Sequence, residues 1–110
     1  LSDLFRYAAG LGYAATESWA WGDELDEHVA LAREAGLAYA SVTGHDSIEK
    51  GLNDPDEHDR IEAELVRSIE KAADLGIPGV IAFGGGRLGT QTDVEALRHA
   101  VRGLRRVVAR

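Results

Sequence analysis

Apolar and polar positions follow a pattern along the chain that predicts helices and strands in alternation. Residues 8–17, 32–41 and 72–81 share one arrangement: small helix-favouring residues, a glycine, an apolar or aromatic residue, and a short β-prone run. Such a glycine is typical of a helix that ends in the left-handed conformation and leads within about three residues into a strand. A helix followed by a strand three times indicates βα units with a parallel sheet.

The spacing of apolar residues predicts four helices and three strands. We expect helices over about residues 3–11 and 24–35, a third that begins after residue 54, and a fourth over about 93–109. The predicted strands cover about 13–18, 38–43 and 79–83. The predicted side-chain N-caps are Ser2, Asp23, Asp54 and Thr92.

The third and fourth helices carry the clearest signals. Pro55 suits the first helical position and Glu57 has the capping-box spacing from Asp54, as Glu95 has from Thr92. The fourth helix also shows an apolar stripe and an arginine-rich end. The stripe is Val94, Leu97, Val101, Leu104 and Val108, and the arginines are Arg98, Arg102, Arg105, Arg106 and Arg110.

The fold class is therefore α/β, of the form α(βα)₃ with three parallel strands and four helices. The third strand contains an unbroken apolar run at residues 80–83, which predicts a strand covered on both faces. An eight-stranded barrel needs about 250 residues. We expect residues 1–110 to form a single partial (β/α)₈ TIM barrel domain, with a small doubly wound sheet as the alternative.

Composition narrows the classes of partner. The chain has 110 residues, with 12 Lys and Arg against 19 Asp and Glu, and a net charge of −7. That acidic balance disfavours nucleic acid as a partner, because contacts to phosphates need Lys and Arg. We therefore expect the arginines near the end of the fourth helix to interact favourably with the helix dipole. No apolar run approaches a membrane span and no leader is evident, so we expect a cytoplasmic protein without a membrane partner. The chain lacks Met and Cys and begins with Leu1, so we expect a trimmed or partial product.

Candidate chemistry falls in the loops that follow the strands, where ligands bind in parallel α/β folds. Glu17 can act as a base or accept a substrate hydroxyl, or it can simply pair with an arginine or backbone amide. Trp19 can wall a sugar-sized pocket or only cover the mouth of a barrel. His45 follows the second strand, and Arg87 follows three glycines and can bind a carboxylate or phosphate.

Three segments resemble the xylose isomerase-like TIM barrels, and most closely their hydroxypyruvate isomerase and sugar phosphate isomerase/epimerase branch. Residues 11–19 (LGYAATESW) resemble the family segment "LGydavEfW". Residues 45–55 (HDSIEKGLNDP) are similar to a long loop that ends in "gLndP". Residues 73–87 (ADLGIPGVIAFGGGR) are similar to "A..lGip.vicFsGnR", although Gly85 departs from the commoner family residue, as does Ser18 in the first segment.

The resemblance implies a (β/α)₈ barrel with a divalent metal, Mg²⁺, Mn²⁺ or Zn²⁺, and an isomerase acting on a small carbonyl compound or sugar. It implies that the metal polarises the substrate oxygens while Glu residues relay a proton through an enediolate. The family's metal ligands come from the later half of the barrel, so we expect no metal in this segment, which would supply strands two to four. By motif, the substrate-binding residues would be Glu17, Trp19, His45 and Arg87.

Three hypotheses follow. The first is a fragment of a metal-dependent isomerase or epimerase that is inactive alone. The second is a non-enzymatic half-barrel that self-associates as a homo-oligomer or pairs with a complementary chain, because a three-stranded sheet leaves two open edges. The third is an apurinic-endonuclease relative that holds zinc through His45 and carboxylates, which the acidic charge disfavours.

Overall fold

A computed structural model describes residues 1–109 as helices and strands in alternation. Arg110, which was assigned to the basic end of the fourth helix, lies outside the described residues. A 3₁₀ turn at Pro55–Glu57 leads directly into the third helix. The elements are α1 (Ser2–Gly10), β1 (Ala15–Ser18), α2 (Gly22–Glu34), β2 (Ala38–Thr43), α3 (His58–Asp74), β3 (Gly79–Ile81) and α4 (Asp93–Val108).

The strands form one parallel sheet in the order β1-β2-β3. Helix α2 makes the crossover from β1 to β2, and helix α3 makes that from β2 to β3. Parallel neighbours require such crossovers, and a run of βα units is the construction rule of the TIM barrel. The predicted α(βα)₃ fold class is confirmed, and it is consistent with part of a (β/α)₈ barrel.

Contacts between residues divide the chain into two compact units. The first unit comprises Leu1–Thr43 and Lys71–Val80, and it contains β1, β2 and most of β3. The second unit comprises Gly44–Glu70 and the residues from Ile81 onward, and it contains most of α3 and all of α4.

The core of the first unit lies between the sheet and helices α1 and α2. Helix α2 contributes Leu25, Val29 and Ala32, whose spacing of three and four residues places them on one face. Complete burial of a side chain such as Val29 contributes about 2 kcal/mol. The buried cluster consists of Phe5, Ala20, Leu25, Val29, Ala32, Leu37, Tyr39, Val42, Ala72 and Ile77.

An irregularity in the β1–β2 ladder determines which side chains meet. Thr16 lies opposite Tyr39, but the next residue of β1, Glu17, lies opposite Ser41, so Ala40 is an extra residue on β2. In a regular strand, Tyr39 and Val42 would point to opposite faces, because side chains alternate with a period of two. With the extra residue, both belong to the same buried cluster.

The predicted helix C-termini agree with the structure better than the predicted N-caps of the first two helices do. Gly12, Gly36 and Gly76 all have positive φ, at 91°, 84° and 66°, which confirms the predicted left-handed ends. Ser2 and Asp23 were wrongly predicted as N-caps. Helices α1 and α2 begin earlier than predicted, so both residues lie inside the first turn.

The other two N-cap predictions are confirmed. The Asp54 carboxylate accepts a hydrogen bond from the Asp56 N–H at 3.0 Å, with Pro55 at the first position of the turn. The Thr92 hydroxyl accepts from the Glu95 N–H at 3.2 Å, and the Glu95 carboxylate accepts from the Thr92 N–H at 2.8 Å. Helix α4 therefore begins with the complete capping box that the sequence predicted.

Strand β3 differs from its prediction in length and in burial. It ends at Ile81, and residues 79–83 are half-buried throughout. The prediction of a strand covered on both faces was wrong, because Val80 packs against the buried cluster only as a partly buried residue and none of residues 79–83 is buried. The ladder stops before Phe83 because the Phe83 N–H donates to a histidine ring instead of a strand.

In the second unit, one side of α4 packs while its apolar stripe remains exposed. Gly103 is buried, and a Cβ there would lie 2.8 Å from the His58 Nε2. Arg106 pairs with Glu62 at 2.5 Å and with Asp59 at 2.6 Å, which attaches α4 to α3. The exposed residues of α4 include Val94, Leu97, Val101, Leu104 and Val108, which form the apolar stripe predicted from the sequence.

The capping box predicts how α4 responds to acid. Hydrogen bonds from the Thr92 N–H and hydroxyl hold the pKa of Glu95 below its ordinary value. A carboxyl whose pKa is lowered in the folded state stabilises that state above the unfolded pKa, about 4.3 for Glu, and loses this contribution as the pH falls through the folded value. We expect Glu95→Gln to reduce the acid dependence of urea unfolding below about pH 4.5.

Glu70→Gln, an exposed change on α3, provides the control for Glu95→Gln. Circular dichroism at a series of pH values would measure the unfolding midpoints. An unchanged acid dependence in Glu95→Gln would show that the capping carboxylate contributes nothing to folding stability.

Candidate functional site

Two loops of the second unit are joined by direct backbone hydrogen bonds. The Leu52 N–H donates to the Phe83 carbonyl at 3.0 Å, and the Asn53 N–H donates to the Gly84 carbonyl at 2.8 Å. The Gly86 N–H donates to the Glu49 carbonyl at 2.7 Å. The loops after β2 and β3, where ligand contacts were predicted, thus form one ordered surface.

Two glycines make this approach of the backbones sterically accessible. A Cβ at Gly51 would lie 2.2 Å from the Gly85 nitrogen, and a Cβ at Gly85 would lie 2.1 Å from the Asn53 Oδ1. Gly85 also has φ of +100°, a conformation that residues with a side chain rarely adopt. Within the three glycines at 84–86, the close contact therefore requires a glycine at Gly85, whereas a Cβ at Gly84 would meet nothing within 4 Å.

His45 lies fully buried beneath these loops. Its Nε2 accepts from the Phe83 N–H at 2.8 Å, and its Nδ1 lies 2.9 Å from the Asp46 carbonyl. Together the two contacts define the tautomer with the proton on Nδ1. The ring also packs edge-on against Phe83, with ring centroids 5.4 Å apart. Both ring nitrogens are engaged within the protein, so His45 orders the loops, and its substrate-binding role stays a prediction.

Arg60 fixes the outer part of the loop after β2. Its guanidinium donates to the Lys50 carbonyl at 2.8 Å and to the Asp46 carbonyl at 3.1 Å. The same group pairs with Glu57 of the 3₁₀ turn at 2.6 Å and with Glu64 of α3 at 3.0 Å. Charge-assisted hydrogen bonds of this kind are about twice as strong as neutral ones, so one side chain holds two carbonyls of this loop, those of Asp46 and Lys50.

A cavity of about 320 Å³ opens beside the joined loops, between the residues after β3 and the first turns of α4. Its size is at the lower end of the range for small-molecule sites. Arg87 is 71% exposed and pairs with Asp93 at 2.8 Å. The cavity is lined by Asn53, Gly84, Gly85, Arg87, Gln91, Asp93, Ala96, Leu97 and Ala100.

Asn53 and Gln91 form the polar wall of this cavity. The Asn53 Nδ2 donates to the Gly86 carbonyl at 2.6 Å and to the Gln91 Oε1 at 3.3 Å. In return, the Gln91 Nε2 donates to the Asn53 carbonyl at 2.8 Å. The Asn53 Oδ1 is buried and has no hydrogen-bond partner among the described residues. The hydrogen bonds that the Asn53 Nδ2 donates hold the side-chain amide in this orientation, so this wall of the cavity has a fixed shape.

The other two predicted site residues, Glu17 and Trp19, lie in the first unit. The Glu17 carboxylate accepts a hydrogen bond from the Ser41 hydroxyl at 2.5 Å, a pairing that the extra residue on β2 makes. Beside it, the Ser18 and Tyr39 hydroxyls are hydrogen-bonded. Trp19 is 61% exposed. The structure places Glu17 and Trp19 at the end of β1, and Arg87 beside the cavity of the second unit.

Sequence reasoning missed Asn53 and Gln91 as site residues. Asn53 was noted only within the resemblance to "gLndP", and Gln91 was not singled out. No signal in the sequence could have found them, because their mutual hydrogen bonds join residues that are 38 positions apart.

The divalent metal implied by the resemblance finds no ligand set in the part of the chain that the structure describes. Across residues 1–109, no three or more His, Asp or Glu side chains are grouped so that they could hold a metal ion. His45 in particular has both ring nitrogens engaged. The described residues therefore do not provide a ligand set for the metal, and their polar groups are available for binding a substrate.

A parallel sheet with helical crossovers and long loops after its strands defines an α/β protein of the barrel-building type. The family model described as xylose isomerase-like TIM barrel matches residues 5–110, and the chain belongs to this family. Membership suggests an isomerase or epimerase type of protein. No curated protein and no solved structure matches the chain.

None of the helices within residues 1–109 is both long enough and apolar enough to cross a membrane.

The Gly51–Gly85 contact predicts a large effect of one added methyl group. In Gly51→Ala, the new Cβ would overlap backbone atoms, which cannot rotate away as a flexible side chain can. We expect a loss of about 1–3 kcal/mol in the free energy of unfolding, measured with urea. Gly84→Ala is the matched control, since a Cβ at Gly84 meets nothing within 4 Å. Equal stability of the two variants would contradict the close contact.

The buried histidine predicts a local effect on one amide. His45→Phe keeps a ring of similar size but leaves the Phe83 N–H without its acceptor. We expect a loss of about 1–3 kcal/mol in unfolding free energy and faster hydrogen exchange at the Phe83 amide. His28→Phe on α2 is the control and should leave that amide protected. An unchanged exchange rate in His45→Phe would refute the structural role of the imidazole.

Proposed function

We propose that the chain supplies substrate-contacting loops of an isomerase or epimerase that acts on small α-hydroxycarbonyl compounds or sugars. Within the family, we assign it to the hydroxypyruvate isomerase and sugar phosphate isomerase/epimerase branch. The motifs at residues 11–19, 45–55 and 73–87 support this assignment. Two of these three segments contribute to the joined loops beside the cavity.

The observation that carries the proposal is an accessible guanidinium beside a small cavity with a fixed polar wall. Arg87 can bind a carboxylate through two parallel hydrogen bonds. Its present partner, Asp93, is 87% exposed, and an exposed ion pair of this kind contributes about 1 kcal/mol or less. A substrate carboxylate can therefore compete with Asp93 for Arg87, and hydroxypyruvate is an anion small enough for the cavity.

Glu17 and Trp19, in the first unit, are proposed as substrate-binding residues because of the motif at residues 11–19. The hydrogen bond from Ser41 orients the Glu17 carboxylate, which leaves its other oxygen able to accept from a substrate hydroxyl. The exposed Trp19 ring offers an apolar face of the kind that packs on the C–H groups of a sugar.

The proposed role of the described residues is binding and orientation. Proton transfer between adjacent carbons in this branch would use a divalent metal, a cofactor for which the described residues provide no ligand set. We therefore assign no proton-transfer step to them. Arg87, Glu17 and Trp19 are proposed as substrate-binding residues, and His45 as the residue that holds the loop in place.

Binding of hydroxypyruvate to the ¹⁵N-labelled chain tests the proposal. We expect the amide signals of residues 84–87 to shift on titration, because the carboxylate would exchange with Asp93 at Arg87. Arg87→Gln should weaken this response at least about tenfold, since a charge-assisted pair becomes a neutral contact. NMR titration measures both affinities.

Arg102→Gln is the matched control, because Arg102 is an exposed arginine on α4 outside the lining of the cavity. Glycerol, which has hydroxyls but no carboxylate, is the control ligand. Shifts that survive in Arg87→Gln would contradict the binding mode. Robust isomerisation by this chain with added Mg²⁺ or Mn²⁺ would contradict the assignment of binding alone.

A further inference from the structure

The charged residues beside the cavity determine which kind of anion it can accept. Among the described residues that line the cavity, Arg87 is the only cation and Asp93 is the only anion. The two side chains are paired at 2.8 Å, and both are exposed. The lining therefore has no net charge until a ligand separates this pair.

The start of α4, which borders the same cavity, carries negative charge of its own. Helix N-termini commonly bind phosphate groups, because their free N–H groups and the helix dipole attract anions. Here the Glu95 carboxylate accepts from the Thr92 N–H at 2.8 Å and from the Thr92 hydroxyl at 2.9 Å. These hydrogen bonds lower the pKa of Glu95, so its carboxylate is charged at neutral pH. Asp93 and Glu95 together offset the positive end of the helix.

The polar wall of the cavity supplies no second cation. Its side chains, Asn53 and Gln91, are neutral amides that hydrogen-bond to each other. Among the lining residues that the structure describes, a bound phosphate would thus meet a single guanidinium together with the carboxylate of Asp93.

Asp93 affects a singly charged and a doubly charged ligand differently. Beside an arginine alone, a phosphate monoester would be attracted more strongly than a carboxylate, because it carries close to two negative charges at neutral pH. Asp93 lies in the first turn of α4, so it stays near Arg87 after a ligand displaces it. Its charge repels each ligand in proportion to the ligand's own charge, which cancels the advantage of the phosphate. A single carboxylate, by contrast, replaces Asp93 on Arg87 charge for charge.

We propose that Asp93 is a specificity-determining residue that restricts the ligand of Arg87 to a small monocarboxylate and disfavours phosphorylated sugars. This inference rests on the proposed function, because it takes Arg87 as the group that binds the substrate. Within the branch assigned above, the charges at the cavity favour an unphosphorylated acid over a sugar phosphate.

NMR titration of the ¹⁵N-labelled chain with two ligands measures this selectivity. Hydroxypyruvate carries one carboxylate, and glycerol 3-phosphate is a three-carbon probe that carries a phosphate instead. At about pH 7.5, where the phosphate is a dianion, we expect the native chain to bind hydroxypyruvate at least about fivefold more tightly. In Asp93→Asn, we expect the ratio of the two dissociation constants to shift towards the phosphate by at least about fivefold, because the repelling charge is lost.

Asp74→Asn is the matched control, since it removes the same charge from an exposed carboxylate at the end of α3, outside the lining of the cavity. It should leave the ratio unchanged, and circular dichroism verifies that both variants are folded. Three outcomes would overturn the role of Asp93 while leaving carboxylate binding at Arg87 intact. They are tighter binding of glycerol 3-phosphate to the native chain, an unchanged ratio in Asp93→Asn, and an equal shift of the ratio in both variants.

A separate outcome identifies a failure of the proposed function. If hydroxypyruvate bound neither the native chain nor Asp93→Asn, Arg87 would not be a carboxylate site. The proposed function would then be refuted, and the role of Asp93 with it.

Discussion

Hydrogen bonding between the backbones of two loops is the constraint on which the second unit depends. Residues 51–53 and 83–86 meet without intervening side chains, which is sterically accessible only because residues 51 and 85 are glycine. His45 supports this junction from below and Arg60 from outside. The cavity wall made by Asn53 and Gln91 then has a fixed shape, and Arg87 emerges from a loop whose preceding residues are held at both ends.

The two units differ in how fully they use their apolar surface. In the first unit, the apolar face of α2 is buried in a cluster that includes Val29, Tyr39 and Val42. In the second unit, α4 is held mainly by Gly103 and by the ion pairs of Arg106, and its most apolar side faces outward. The first turns of the same helix also line the cavity, through Ala96, Leu97 and Ala100.

Features with local causes were predictable from the sequence, and features with tertiary causes were not. Two such features depend only on residues within one helical turn, so the local sequence was sufficient to predict them. They are the left-handed helix ends at Gly12, Gly36 and Gly76 and the capping box of Thr92. Burial depends on distant neighbours. The half-buried state of β3 and the amide wall formed by Asn53 could not be derived, because each requires knowing which segments lie side by side. The hydrogen bonds of His45 could not be derived either, because one of its partners, the Phe83 N–H, belongs to a loop that meets it only in the fold.

The extra residue on β2 makes this strand tolerant of a change in length at one position. Ala40 is exposed and its side chain adds little to packing, so many replacements there would be harmless. Deleting it would leave Tyr39 and Val42 two positions apart, a spacing that places both on one face of a regular strand, and Ser41 would still lie opposite Glu17. Related sequences should therefore vary in length as well as in residue identity at this position.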